Sequence, residues 1–154
     1  MEIRRAHEGD VGTVRRIHGD AIRDVCARDY PADVIAAWLA GRSDERYLKQ
    51  IRQDSFWLAI EQKCVAFGSV RIERARLESL FVDPPALGRG HAATLLSHLE
   101  GVALQAGIDV LQVDSSLTAR DFYARHGYEV REGEASLILA SGIKVVGVPM
   151  SKRL

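Results

Sequence analysis

The chain has 154 residues, 47% hydrophobic and 27% charged, with 21 basic and 21 acidic side chains that cancel at neutral pH. That length suits one domain with a substantial core, and the zero net charge offers no general attraction to nucleic acid or to an anionic membrane. No apolar run approaches the roughly 20 residues needed to cross a bilayer, and "MEIRRAHEGD" lacks the apolar centre of a secretory signal, so a cytoplasmic location is expected.

In chain order, Ile3 to Ala6 predicts a short strand. Val11, Val14, Ile17, Ala21, Ile22 and Val25 then trace a helix started by Asp10. Pro31 suits the first position of a helix carrying Val34, Ile35, Trp38 and Leu39, and Ser43-Asp44-Glu45 reads as the capped, acidic start of another with Tyr47, Leu48 and Ile51. From Phe56 the apolar period changes to two. "SFWLAI", a turn near Gln62-Lys63, "CVAFGSVRI" and "RLESLFV" predict three antiparallel strands. Within the last, alternation sends Glu78, Leu80 and Val82 to one face and Leu77, Ser79 and Phe81 to the other.

Residues 82–92, "VDPPALGRGHA", join that strand to a helix with an apolar face of Ala92, Leu95, Leu96, Leu99, Val102, Ala103 and Ala106, stopped by Gly107. Gly88-x-Gly90-x-x-Ala93 satisfies the dinucleotide-binding pattern, with Asp114 near the place of a ribose-binding acid. In such a turn the first glycine closes the strand directly. Here five residues intervene, and Pro84-Pro85 predicts an extended crossing segment, so the glycines belong to the helix start. Small residues at Gly88, Gly90, Ala92 and Ala93 leave the N–H groups of that start open to an anion.

A strand at "DVLQVD", a short helix through "TARDFYARHG", a strand at "YEVRE" and a hairpin of "SLILA" and "IKVVGVPM" joined at Ser141-Gly142 complete the chain. The order describes an α+β fold. Its mixed sheet is mostly antiparallel, with one β-α-β crossover and helices on both faces. Cys26 and Cys64 read as buried apolar residues, and the five scattered histidines include no metal-ligand pair, so no metal is expected. Arg4, Arg5, Arg15 and Arg16 read as a solvated face.

Two segments carry a family resemblance. "LESLFVDPPALGRGHAATLL" resembles the pyrophosphate-binding block of the GNAT acyltransferase superfamily, commonly [QR]-x-x-G-x-[GA], through Gly90 and Ala92, with Leu87 at the usual Gln or Arg position. "LQVDSSLTARDFYARHGYEV" resembles its N-x-x-A-x-x-F-Y-x-x-x-G-[FY] block through Ala119, Phe122, Tyr123, Gly127 and Tyr128, with Ser116 at the Asn position. The resemblance covers nearly the whole chain and implies one N-acetyltransferase domain over residues 1–154 that uses acetyl-CoA.

It also implies roles. The diphosphate of coenzyme A would lie on Leu87, Gly88, Arg89, Gly90, His91, Ala92 and Ala93, and its arm would lie along the main chain of Leu80, Phe81 and Val82, near Ser116 and Phe122. Tyr123 would protonate the departing thiolate and Glu78 would take the amine proton, directly or through water. Tyr30 and Trp38 would line a pocket for a small-molecule or peptide amine. The rival readings are a non-catalytic coenzyme A sensing domain on the same fold and a dinucleotide-binding module. Nucleic-acid binding has no charge excess behind it, and a homodimer is compatible with the sequence without being specified by it.

Overall fold

A computed structural model describes residues 1–154. Strand β1 (Glu2–Arg5) leads through a 3-10 turn to helix α1 (Val11–Asp24), followed by α2 (Ala32–Ala40) and α3 (Asp44–Gln53). Strands β2 (Ser55–Ile60), β3 (Cys64–Arg71) and β4 (Arg76–Val82) come next, then helix α4 (His91–Gln105) and strand β5 (Val110–Ser116). Helix α5 (Arg120–Arg125), β6 (Glu129–Val130), β7 (Ala135–Ile138) and β8 (Lys144–Arg153) close the chain. The sheet order is β1-β2-β3-β4-β5-β8-β6, with β7 also on β8, and every pairing is antiparallel except β4 with β5. No helix is long and apolar enough to cross a membrane.

Both faces of the sheet are covered, which is why Val65 to Val70 of central β3 are all buried instead of alternating. On one face Leu95, Leu96, Leu99 and Ala103 of α4 pack on Ala66, Val70, Leu77 and Val82. On the other, Val14 and Ile17 of α1 and Tyr47 and Ile51 of α3 pack on Phe56, Leu58 and Phe67. A third cluster joins Ile22, Cys26, Tyr30, Ile35 and Trp38 to Leu139 and Val145 of the last hairpin. Gly68 is required where β3 meets α4, because a Cβ there would lie 2.7 Å from Leu99 Cδ1 and 3.0 Å from the Ser79 carbonyl oxygen.

Several expectations are corrected by packing. The alternation along β4 breaks at Glu78: Ser69 pairs with Ser79 and Val70 with Leu77, so Glu78 has no partner across β3 and forms a bulge. Leu77 therefore joins Leu80 and Val82 on the α4 face, while Ser79 and Phe81 stay on the α1 face. Pro84–Ala86 form a 3-10 turn rather than an extended crossing, since the fixed proline φ suits the first residue of a helical turn. Asp10 does not cap α1 with its side chain; its carboxylate holds Arg4 through two hydrogen bonds and accepts one from the His7 N–H. The expected solvated face is thus also a paired one: Arg16 stays exposed to solvent yet grips Asp83 in the same bidentate way. Cys26 is buried, whereas Cys64 is only half-buried.

Candidate active site

Strands β4 and β5 run parallel but pair only at Arg76–Gln112 and Leu77–Val113, so the main chain from Glu78 to Val82 has no neighbour on that side. At the point of parting, Arg76 and Asp114 are joined by an ion pair, which engages the acid considered for ribose binding. The gap opens into a cavity of about 550 Å³ that passes between the sheet, α1, α3 and α5.

Among the residues expected at the site, Glu78, Leu80, Phe81, Val82, Leu87, Ala92, Ser116, Phe122, Tyr123, Tyr30 and Trp38 all line this one cavity. Gly88, Arg89, Gly90, His91 and Ala93 lie outside it, on the turn and first residues of α4. Gly88 and Gly90 have φ of 75° and 82°, a left-handed geometry that strains any residue with a Cβ, and the side on which a Cβ would stand is open at both. The first turn of a 15-residue helix thus presents unscreened N–H groups to an anion. The side chains of Arg89 and His91 are directed elsewhere. Arg89 pairs with Glu61 at 2.9 Å, and buried His91 lies 3.3 Å from Met1 Sδ. Their contribution to an anion cradle would come from the main chain.

An acyl-coenzyme A thioester fits what this chain presents: an unpaired strand edge for an amide-bearing arm and a glycine-opened helix start for a diphosphate. A dinucleotide turn does not fit, because the 3-10 turn separates the end of β4 from Gly88.

The bulge aims Glu78 into the cavity on the α3 side, where its Oε1 is buried without a hydrogen-bond partner. Burial pushes its carboxyl above the usual range, an effect partly offset by nearby Arg71 and reinforced by Asp54. Beside it a buried polar chain runs from the cavity into the protein: Ser79 Oγ to Ser69 Oγ at 2.8 Å, Ser69 to Asp54 at 3.2 Å, and the Arg71 Nε donating to Asp54 at 2.7 Å. Asp54 has its counter-ion, so the only unpaired carboxylate here is the one on the bulge.

On the opposite wall, Tyr123 of α5 is 4% exposed and its hydroxyl makes no hydrogen bond within the protein. Burial alone pushes its phenol above the ordinary tyrosine range, so it keeps its proton at neutral pH. Its ring meets Phe122 and Tyr128 edge-on, both centroids at 5.3 Å. Ser116 Oγ accepts the Ala119 N–H at 3.1 Å and so fixes the turn into α5. Tyr30 donates its hydroxyl to the Val146 carbonyl at 2.6 Å and accepts the Leu117 N–H at 2.9 Å, a strut between β8 and the β5–α5 loop. Only its ring remains to face the cavity, packed edge-on against Trp38.

Sequence reasoning missed His18 and Tyr47. His18 Nδ1 lies 2.7 Å from the Tyr47 hydroxyl, its ring lies 4.5 Å from Phe81, and both residues line the cavity. Burial and the neighbouring Arg42 and Arg46 drive the imidazole down to about 3, so it is neutral. The available signal was its position: Val14, His18 and Ile22 are spaced four apart on the buried face of α1, where a histidine needs a polar partner.

Comparisons with known proteins give the family and the fold. The family model for the acetyltransferase (GNAT) domain matches residues 26–154. The chain is 32% identical over 130 residues to the uncharacterized N-acetyltransferase YafP of Escherichia coli K12, covering 84% of this chain and 81% of that one. Among solved structures, a GCN5-related N-acetyltransferase of Rhodopseudomonas palustris superposes with a TM-score of 0.92 at 24% identity, over 99% of this chain and 95% of that one. The PaiA N-acetyltransferase of Thermoplasma acidophilum, solved with coenzyme A, superposes with a TM-score of 0.83 at 19% identity, over 99% and 98%.

Proposed function

The chain belongs to the GNAT acetyltransferase family and is an acetyl-CoA-dependent acyltransferase, and from that premise we propose that it acetylates a primary amine by direct attack within a ternary complex. The observation that carries this reading is the meeting of two groups in one cavity: the unpaired carboxylate of Glu78 on one wall and the unbonded hydroxyl of Tyr123 on another.

Acetyl-CoA supplies the activated acyl group and a thiolate that can leave. Every other need falls to the chain. The unpaired main chain of β4 aligns the pantetheine arm, and an N–H in the Leu80 to Val82 stretch polarises the thioester oxygen. Glu78 takes a proton from the acceptor ammonium, directly or through one water, which frees the nitrogen lone pair to form the C–N bond. A carboxyl held above its usual range is a stronger base near neutrality than an exposed one. As the C–S bond breaks, the Tyr123 hydroxyl, which burial has kept protonated, gives its proton to the departing sulfur, and the second proton shed by the nitrogen as it becomes an amide restores the phenol. The Phe122 ring packs beside it and holds it in place.

The test is acetyl-CoA turnover followed by free thiol release over a panel of amines, with intact-protein mass measured after acetyl-CoA alone. Turnover with intersecting initial-rate lines and no acetyl adduct on the protein is expected. An adduct that transfers to amine, or coenzyme A binding with no turnover on any amine, would overturn the reading.

A further inference from the structure

The acceptor end of the cavity contains two opposite charges that the protein leaves free. Four charged side chains line the cavity, namely Arg46, Arg76, Glu78 and Asp114. Arg76 and Asp114 satisfy each other. Glu78 keeps a buried oxygen without a partner, and the Arg46 guanidinium makes no hydrogen bond or ion pair, the residue's only link to Ser43 being through its main-chain N–H. Between them the wall is aromatic and uncharged, formed by Tyr47, neutral His18 and Phe81.

Arg46 is an exposed residue of α3 that reaches the open side of the cavity. It stands one turn before Gln50 on α3, so the guanidinium and a neutral amide face the same cavity, with Tyr47 beside them. Arg42 adds to the positive field, since both arginines act on His18. Such a site repels a second ammonium and attracts a carboxylate, for which a guanidinium fork is the matching partner.

Resting on the acetyltransferase reading, we propose that the acceptor is a primary amine that also carries a carboxylate, of the amino acid class, with its amine received at Glu78 and its carboxylate at Arg46. A polyamine, which has cations at both ends, meets the wrong charge at Arg46.

Matched probes test this: L-phenylalanine against L-phenylalaninamide, and 4-aminobutyrate against 4-aminobutyramide, with spermidine as the dication control. The amino group of an α-amide is less basic and so more often free at neutral pH, which means that a preference for the acid runs against intrinsic reactivity. The wild-type protein is expected to favour the acid of at least one pair by about tenfold or more in kcat/KM, the scale of one charge-assisted contact. Arg46→Ala should bring that ratio near one through KM, Arg46→Lys should restore part of it, and Arg46→Glu should shift preference to the amide and to spermidine. Turnover of the amides or spermidine in preference to the acids, or a ratio unmoved by Arg46→Ala in a folded variant, would overturn the inference while leaving acetyl transfer intact. Absence of turnover on every amine, with coenzyme A bound, would overturn both.

Discussion

Arg16 of α1 and Asp83 at the end of β4 are 67 residues apart in sequence and clasp one another through two hydrogen bonds, Nη1 to Oδ1 and Nη2 to Oδ2, each 3.1 Å. The Asp83 side chain is 1% exposed, and Lys63 Nζ stands 3.5 Å from its Oδ2. The pair fastens α1 to the segment that leads from β4 into the glycine turn before α4.

Arg16→Ala leaves a buried carboxylate with Lys63 as its main counter-charge, and should cost about 2 kcal/mol, reduced from a fully buried pair because the guanidinium is partly solvated. The hydrogen bonds from Arg16 hold the Asp83 carboxyl below its ordinary range, so this stabilisation is present at neutral pH and is lost as pH falls through the folded-state value. Chemical denaturation at several pH values checks it. A penalty that grew toward acid would contradict the assignment.

Gly90→Val places a β-branched residue at a φ of 82° and should cost about 1–2 kcal/mol while turning the first N–H groups of α4 away from their anion. Calorimetry should show coenzyme A affinity lowered at least tenfold, with no binding of NAD by either form. Unchanged coenzyme A affinity would remove the diphosphate from this turn.

Glu78→Gln should lower kcat/KM most at the acid end of the pH profile, where the amine is protonated and needs a base, and least at high pH. The same change predicts a stability effect of defined sign. Burial raises the Glu78 carboxyl in the folded state, so ionising it destabilises the wild type as pH rises through that raised value. The Gln variant should melt higher near pH 7 and lose that advantage below the ordinary carboxylate range. Parallel pH–rate and pH–melting curves test both halves.

Tyr123→Phe deletes a hydroxyl that makes no hydrogen bond in the protein while keeping a ring in the core. Stability and coenzyme A affinity should stay near wild type, and kcat should fall about 10²-fold, the lower end of general acid catalysis, since a thiolate departs more readily than an alkoxide. Full single-turnover activity would assign Tyr123 to packing.

Most elements were legible because their periodicities were unmixed. "SFWLAI" and "RLESLFV" coincide with β2 and β4, and Ser43 caps α3 as its sequence suggests. The faces of β4 were not legible, because a bulge depends on pairing with β3 and leaves no mark in the strand itself. The roles of Arg16 and His18 were hidden for a similar reason. Each is set by a partner distant in sequence, Asp83 for one and Tyr47 for the other. Two residues expected on the anion turn, Arg89 and His91, adjoin the glycines in sequence, yet their side chains are drawn away by Glu61 and Met1.

The bulge separates what position 78 does from what β4 needs. A residue without a cross-strand neighbour contributes little to the ladder, so its side chain can be exchanged while Leu77 and Ser79 keep their partners Val70 and Ser69. Deleting the residue would make the ladder continuous, with Leu77 and Ser79 adjacent, still opposite Val70 and Ser69 and still facing opposite sides of the sheet, so the extra residue serves its own side chain and not the register. Position 78 is therefore a replaceable tool on a mount that the sheet does not itself require, from which related chemistries could arise by single changes without the sheet having to be rebuilt.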